Sequence, residues 1–405
     1  MLRGKHILVG ISGGIAAYKI PELIRQLRKS GAEVKVTTTK NALEFVTELT
    51  LQTLSGAKVY SDVFAAINEH STEHISLPDW ADLMVIAPAT ANVMAKIAAG
   101  IADDALTTTF CAMRKPVVIA PAMNDKMYQN QSVQDAVETL SRRNNITLLD
   151  CEEGELACGT NGKGRMQEID AILEAIRYAL TPKTMAGKCV LINSGPTQEA
   201  IDPVRFISNH STGKMGMALA YAAWYRGAVV KMVSGPVNKL PKVPVFFNKK
   251  PALEIYPVTT AAQMAQVVQE IFPMADAAIL CAAVADFTPK EVSELKIKKQ
   301  SQQSTLTLQL VETQDIAATL GKCKKENQLL IGFALETNDE MVHAQDKLRK
   351  KNFDYIVLNS LRDEGAGFGT DTNKVTIYSA DGTKNDVPLQ SKENVAQAIL
   401  ELATC

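Results

Sequence analysis

The sequence predicts two doubly wound α/β domains, each a Rossmann-like parallel sheet with helices on its faces. A chain of 405 residues is too long for one ordinary core. Its strongest apolar runs are short, strand-length and separated by helical stretches. Each half also opens on the same unit: apolar strand, glycine-containing turn, amphipathic helix ending in glycine, second strand. That is a βαβ unit, which implies parallel pairing.

In the first half the unit reads HILVGISGG, then the helical stretch IAAYKIPELIRQLRKSG, then AEVKVTTT. DLMVIAPAT, PVVIAPAMN and ITLLD supply further strands. In the second half CVLINSGPT is followed by GKMGMALAYAAWYRG and AVVKMVSGP. DAAILCAAVAD, LLIGFALET and DYIVLNS continue that sheet, and the more alternating TLTLQLVE and KVTIYSA join it. ALTPKTMAGK, with proline, glycine and lysines, reads as the boundary, so the domains are expected at 1–180 and 188–405. Open sheets of this kind bind ligands at the carboxyl ends of their strands.

Composition narrows the function. Hydrophobic residues make up 46% and charged residues 21%, with a formal net charge of −1, giving no bulk attraction to nucleic acid or an anionic membrane. No apolar run is long enough to cross a bilayer, and the opening MLRGKHILVGISGG lacks a signal-peptide pattern, so a cytoplasmic protein is expected. Seven scattered cysteines without a C-x-x-C pair argue against a disulfide framework and a structural zinc site.

The strand ends carry the candidate chemistry. Ser12-Gly13-Gly14-Ile15 opens the first helix, where free N–H groups and absent side chains suit a phosphate. It is not G-x-G-x-x-G, so a nicotinamide dinucleotide is disfavoured. Pro88-Ala89-Thr90 and Pro121-Ala122-Met123-Asn124, continuing to Met127, end two further strands on the same crevice. Taken alone, His74 in EHISLPDWAD reads more readily as a surface or packing histidine than as a catalyst. Cys158 in ELACGTNGKGRM sits among Gly159, Gly162 and Gly164, expected as the hinges of a mobile flap, with the charge of Arg165 beside them. A thiol with a pKa of about 8.5 is protonated at neutral pH and can donate a proton.

Together, SGGIAAYK, the His74 segment, PAMNDKMY and ACGTNGKGRM resemble the flavin-dependent cysteine decarboxylases, and within them phosphopantothenoylcysteine decarboxylase. The resemblance implies a flavodoxin-like flavoprotein that binds FMN through Ser12, Gly13, Gly14, Ile15, Thr39, Pro88, Ala89 and Thr90. It implies that the thiol carbon is oxidised to a thioaldehyde, which accepts the electrons released with CO₂. His74 would assist that oxidation and the decarboxylation. Asn124, with Met127 and Arg165, would hold the substrate, and Cys158 would protonate the resulting ene-thiol.

The second half is dense in anion-binding chemistry. SGPTQEAIDPVRFISNHSTGKMG places Gly213, Lys214 and Gly216 at a strand-to-helix transition, without the P-loop pattern. Lys347 and Lys351, four apart, share one face if helical. With AAVADF, the K-I-K-K run, GFALET and KLRKKNFDYIVLN, the set resembles phosphopantothenoylcysteine synthetase. That resemblance implies CTP-dependent activation of 4′-phosphopantothenate to an acyl-cytidylate, then attack by cysteine, with Mg²⁺ through ligands left unassigned. Asn209 would act on the acyl-cytidylate and Lys296 on the charge formed with it. Asp286, Phe333, Lys347 and Lys351 would contact the nucleotide, with Gln314, Asp315, Ile316 and Ala317 as a further contact. The resemblance also implies a homo-oligomer, trimeric through the first half and dimeric through the second, an arrangement a dodecamer satisfies. The alternatives are a relative acting on peptide cysteines, a catalytically silent binding or regulatory flavoprotein, and a dehydrogenase. The fused ligase pattern disfavours the first, the joint presence of His74, Asn124 and Cys158 the second, and the missing glycine fingerprint the third.

Overall fold

The computed structural model describes residues 1–63, 73–155, 159, 161–248, 252–298, 305–336, 340–360, 365–367 and 369–402. The chain forms two compact units, Met1–Pro182 with Lys242–Pro251, and Lys183–Pro241 with Ala252–Cys405. The excursion at 242–251 was not foreseen from the sequence.

In the first unit, β1 (His6–Ile11), β2 (Glu33–Thr38), β3 (Val59–Tyr60), β4 (Leu83–Ala89), β5 (Val117–Pro121) and β6 (Ile146–Leu148) form one sheet. The order is β3-β2-β1-β4-β5-β6 with every pair parallel. The doubly wound class therefore holds, with the dinucleotide-fold order in place of flavodoxin's. β4 is buried at all seven positions, which is why LMVIAPA carries no polar face. The stretch expected as one helix from Ile15 begins as a 3-10 turn, Ile15–Lys19, and becomes α1 (Ile20–Lys29) with Pro21 in its first turn. Around the sheet lie α2 (Glu48–Ser55), α3 (Glu73–Trp80), α4 (Ala91–Ala99), α5 (Ala105–Ala112), α6 (Asp125–Gln129), α7 (Gln131–Ser141) and α8 (Ile169–Leu180). A separate antiparallel hairpin, β7 (Glu152–Glu155) and β8 (Asn161–Arg165), frames the Cys158 segment. Cys158 itself lies outside the described residues.

The second unit contains β9 (Cys189–Ser194), β10 (Gln198–Ala200), β11 (Phe206–Ser208), α9 (Lys214–Tyr225), β12 (Val229–Ser234), β13 (Leu253–Pro257) and α10 (Ala261–Ile271). β14 (Ala277–Leu280), β15 (Phe287–Pro289), β16 (Leu310–Glu312), α11 (Ile316–Cys323), β17 (Leu329–Glu336), α12 (Glu340–Lys350), β18 (Tyr355–Ser360), β19 (Thr372–Ser379), β20 (Lys384–Ser391) and α13 (Lys392–Leu402) follow. The main sheet runs β13-β12-β9-β14-β17-β18-β19-β20, parallel through β18 and antiparallel for the last two strands. TLTLQLVE does not join it. Only Leu310–Glu312 pair, with β15, in a two-stranded ribbon, and all three are exposed. Its alternation had no buried face to serve. β20 takes the outer place instead, carrying Pro388, which a sheet edge tolerates.

Candidate functional site

The first unit's strand order reverses between β1 and β4, and this is where its residues converge. Ser12 is fully buried there; its hydroxyl donates to the Pro88 carbonyl (2.7 Å) and accepts from the Thr90 N–H (3.0 Å). Ser12 thus ties the two strand ends together. Pro88 and Ala89 are likewise buried, so these three residues form the wall behind the crevice.

In front of that wall is a cavity of about 1060 Å³. Gly13, Gly14, Ile15, Thr39 and Thr90 line one part; Asn124, Met127 and Arg165 line another. A Cβ at Gly13 would lie 2.5 Å from the Asn41 side chain, and one at Gly14 would lie 3.2 Å from Thr90 Cγ2, which accounts for both glycines. Gly14 caps the 3-10 turn with no side-chain hydrogen bond, leaving its opening N–H groups to a ligand. The Thr39 hydroxyl is buried and has no partner among the described residues. An uncapped helical turn on this cavity, with Thr39 in its lining and that residue's hydroxyl left unpartnered among the described residues, fits the phosphate end of a flavin mononucleotide.

Charges of both signs surround the cavity. Lys19 pairs with Glu168 (3.3 Å), as does Arg165, and burial of Glu168 is outweighed by these two cations, which hold its carboxyl below the usual range. Lys96 pairs with Asp103 (2.7 Å), whose hydrogen bond keeps the lysine protonated to higher pH. Lys96, Asp103 and Asp62 line the cavity and were not picked out from the sequence, because single charges in helices and turns carry no local signal. Asn124 caps α6 by accepting from the Lys126 N–H (2.9 Å). His74 is half-buried on α3 and is not among the described residues lining the cavity.

The flap glycines behave differently from expectation. Gly162 and Gly164 lie within β8, where a Cβ would come 2.7 Å from Asp125 Cβ and 2.3 Å from the Met123 carbonyl. They permit β8 to pack on the Asn124 loop and are not hinges. Gly159, at φ +78° with no described residue within 4 Å of a Cβ placed on it, is the one in the left-handed region.

The second unit has its own switch point, between β9 and β14. Asn209 is pinned there by its amide, which donates to the carbonyls of Ala283 (3.0 Å) and Val284 (3.3 Å). The Asp286 carbonyl accepts from Thr313 N–H (2.9 Å), which brings Asp286 beside Gln314, Asp315, Ile316 and Ala317. Asp315 caps α11 and pairs with Lys351 (3.0 Å), just beyond the end of α12. Burial of Asp315 is outweighed by the Ala318 N–H and Lys351, which hold it ionised to lower pH. Phe333 is half-buried on β17, and Lys347 lies on α12.

Lys296 is exposed, but its neighbour Ile297 is fixed on both sides. The Ile297 N–H donates to Asp202 (3.1 Å), and its carbonyl accepts from Arg205 (2.8 Å). Hydrogen bonds from the Arg205 guanidinium, with the backbone N–H groups of Val204, Ile297 and Arg205, hold the Asp202 carboxyl far below the carboxylate range. Asp202 was missed in the sequence, although D-x-x-R at a turn was the available signal. Lys214, at the head of α9, bonds Asp371 (2.7 Å) and the Gly369 carbonyl (2.6 Å), so its charge is engaged within the protein. Gly216, expected at the anion site, packs against Ser194, which a Cβ would strike at 2.1 Å.

Comparison with known proteins draws these two sites together. Residues 1–181 match the flavoprotein family, and residues 185–404 match the C-terminal domain of the DNA/pantothenate metabolism flavoproteins. The coenzyme A biosynthesis bifunctional protein of Bacillus subtilis (strain 168) is 47% identical over 404 residues, covering 99% of this chain and 97% of that one. The chain belongs to the bifunctional coenzyme A biosynthesis family. The family's activities, synthesis of phosphopantothenoylcysteine and its decarboxylation, are those of this chain. The Escherichia coli (strain K12) member is 41% identical over 402 residues, covering 99% of this chain and 97% of its own. A cysteine/cysteine sulfinic acid decarboxylase from an unknown prokaryotic organism is 45% identical over 360 residues, 88% of this chain and 98% of that protein. Among solved structures, the FMN binding protein AtHal3 is 35% identical, covers 43% of this chain and 96% of its own, and has a TM-score of 0.39.

Proposed function

We propose that residues 1–180 carry the decarboxylase with FMN bound across the β1/β4 switch point, and that residues 188–405 carry a CTP-dependent ligase. The observation that carries the first reading is the single cavity shared by the glycine turn, Thr39, Asn124 and Arg165. Bound there, FMN would supply reversible two-electron chemistry to the carbon beside the substrate thiol.

This chain's residues do the rest. Gly13, Gly14, Ile15 and Thr39 hold the phosphate end, with Thr90 beside them and Ser12, Pro88 and Ala89 as backing. The Asn124 amide donates to the substrate carboxylate, Arg165 supplies a fixed charge, and Met127 gives an apolar contact. His74 moves the proton needed in the oxidation, and Cys158 donates the proton that ends the sequence.

In the ligase, Lys296 neutralises charge as the 4′-phosphopantothenate carboxylate attacks CTP. Asn209 orients the acyl-cytidylate for the cysteine amine. Asp286, Phe333, Lys347, Lys351 and the Gln314–Ala317 turn receive the nucleotide. Among the described residues no group of three or more His, Cys, Asp or Glu side chains could hold a metal. Mg²⁺ is therefore read as arriving with the triphosphate, which supplies most of its oxygen ligands. We place the enzyme in the cytoplasm as a homo-oligomer, as the resemblance implies.

The test is direct. Purified protein should be yellow and release one FMN per chain on denaturation, and Thr39→Val should lower that content. Pyrophosphate release should require 4′-phosphopantothenate, CTP and Mg²⁺. A colourless protein, a released dinucleotide, or equal turnover of ATP would reject the corresponding part.

A further inference from the structure

The carboxylate of Asp150 stands outside the cavity, yet it joins two of the elements that carry the first site. Its Oδ1 accepts from the Tyr128 hydroxyl (2.5 Å) and from the Cys151 N–H (2.9 Å); its Oδ2 accepts from Lys163 Nζ (2.6 Å). Tyr128 is buried on α6, the helix that Asn124 begins, and Lys163 is on β8, the strand returning from the Cys158 segment. The Lys163 ammonium also lies 5.6 Å from the centre of the Tyr128 ring. One half-buried acceptor thus sets the separation of the Asn124 helix and the flap's return strand.

The backbone of Asp150 is held by the segment at 242–251. The Asp150 N–H donates to the Val245 carbonyl (2.9 Å), and the Phe247 N–H donates to Leu148 (3.1 Å), a short antiparallel pairing on the free edge of β6. Gln167, almost fully buried, spends its whole amide here. Its Nε2 donates to the carbonyls of Asp150 (2.8 Å) and Val245 (2.6 Å), and its Oε1 accepts from the Val245 N–H (3.2 Å). Asp150 therefore cannot shift along the sheet without orphaning buried polar groups.

We propose that Asp150 is a positioning residue of the decarboxylase, with Tyr128 and Lys163 as the arms through which it sets the flap's base against Asn124. The inference rests on the assignment of Asn124 and Cys158 to the substrate. A charged, hydrogen-bonded acceptor with two cross-element donors is a specific device for fixing a distance, and errors of about 1 Å at such sites cost roughly 100-fold in rate. Cys151 next to it is no rival catalyst: burial and the Asp150 charge push its thiol up to about 12.

The experiment uses the full chain loaded with flavin. Asp150→Asn, Lys163→Gln and their double variant are compared with the parent for KM, kcat per bound flavin, flavin content and Tm. Lys163 is half-exposed, so its variant keeps the test alive if Asp150→Asn misfolds. Each single variant should raise KM for phosphopantothenoylcysteine about tenfold or more at parental flavin content and Tm. The double variant should lose no more than either single one, and Lys163→Arg should restore the parental KM. Parental KM in Lys163→Gln, additive losses, or losses that only track flavin content would overturn the proposal. Cys158→Ser in parallel separates the two ideas: if it turns over normally, the flap assignment fails, while the KM of the Lys163 variant still judges Asp150.

Discussion

Cys158 and the pair Lys296 and Asn209 are each assigned one step, so their variants should fail at different points. Serine keeps the size of Cys158, but its hydroxyl is a far weaker acid, so the final protonation suffers most. Cys158→Ser should still release CO₂ while 4′-phosphopantetheine formation falls about 100-fold or more; His74→Asn should keep flavin and lose CO₂ release. Quantifying ¹⁴CO₂ and thiol product distinguishes them. Lys296→Gln should release little pyrophosphate, because the cation it lacks is the one proposed to act as the triphosphate is attacked. Asn209→Asp should form the acyl-cytidylate and accumulate it, read by quenching and chromatography; a shared block in both variants would refute the division. Asp202 yields a pH prediction. Its folded-state pKa is depressed by Arg205 and three N–H groups, so its stabilisation is full above the ordinary carboxylate value of about 3.9 and is lost as pH falls through the folded value. Urea unfolding should show Asp202→Asn less stable than the parent at pH 7, with the gap closing below pH of about 4. A gap independent of pH would mean the charge is immaterial.

At the scale of elements, β8 is the informative case. Its two glycines allow a strand to lie on the Met123–Asp125 backbone, and a methyl at Gly164 would sit 2.3 Å from the Met123 carbonyl. Carbonyl backbone cannot yield as a flexible side-chain end can, so Gly164→Ala should displace the Asn124 loop. Decarboxylation should fall about 100-fold, with ligation unaffected. Gly159→Ala meets no neighbour among the described residues and carries left-handed backbone strain of about 1 kcal/mol. Assays of both half-activities on the two variants test the contrast, and equal effects would return β8 to a hinge. The G-x-G-R-M spacing was legible in the sequence, but its reason was not: a glycine needed for close approach and one needed for bending look identical until the opposing backbone is known. Helix caps are local by contrast: Thr90 at the head of α4 and Asp104 at the head of α5 act within three residues.

Across the whole molecule the chain enters each unit twice, because Lys242–Pro251 pack with Met1–Pro182. Phe246 and Phe247 are partly buried against the two cores on the faces of the first sheet, and Phe246 lies 5.2 Å from the Tyr178 ring. A fragment ending at residue 182 lacks that cover, leaving Gln167 with unpaired groups and Leu148–Asp150 as an open edge. It should unfold at a lower temperature than the first unit of the full chain, by calorimetry, with a loss of roughly 2 kcal/mol from the aromatic contacts; an unchanged Tm would make the excursion dispensable. The sequence by itself determined the two parallel sheets, the glycine turns at their carboxyl ends and the family, because apolar period, turn chemistry and motif spacing are written within short windows. Only the tertiary structure decided that Ser12 braces β4, that Lys214 is engaged by Asp371, and that Val245 holds Asp150 and Gln167. Those partners lie as far as 157 residues apart. Strand order and chain crossing alone bring such groups together, and no local pattern encodes either.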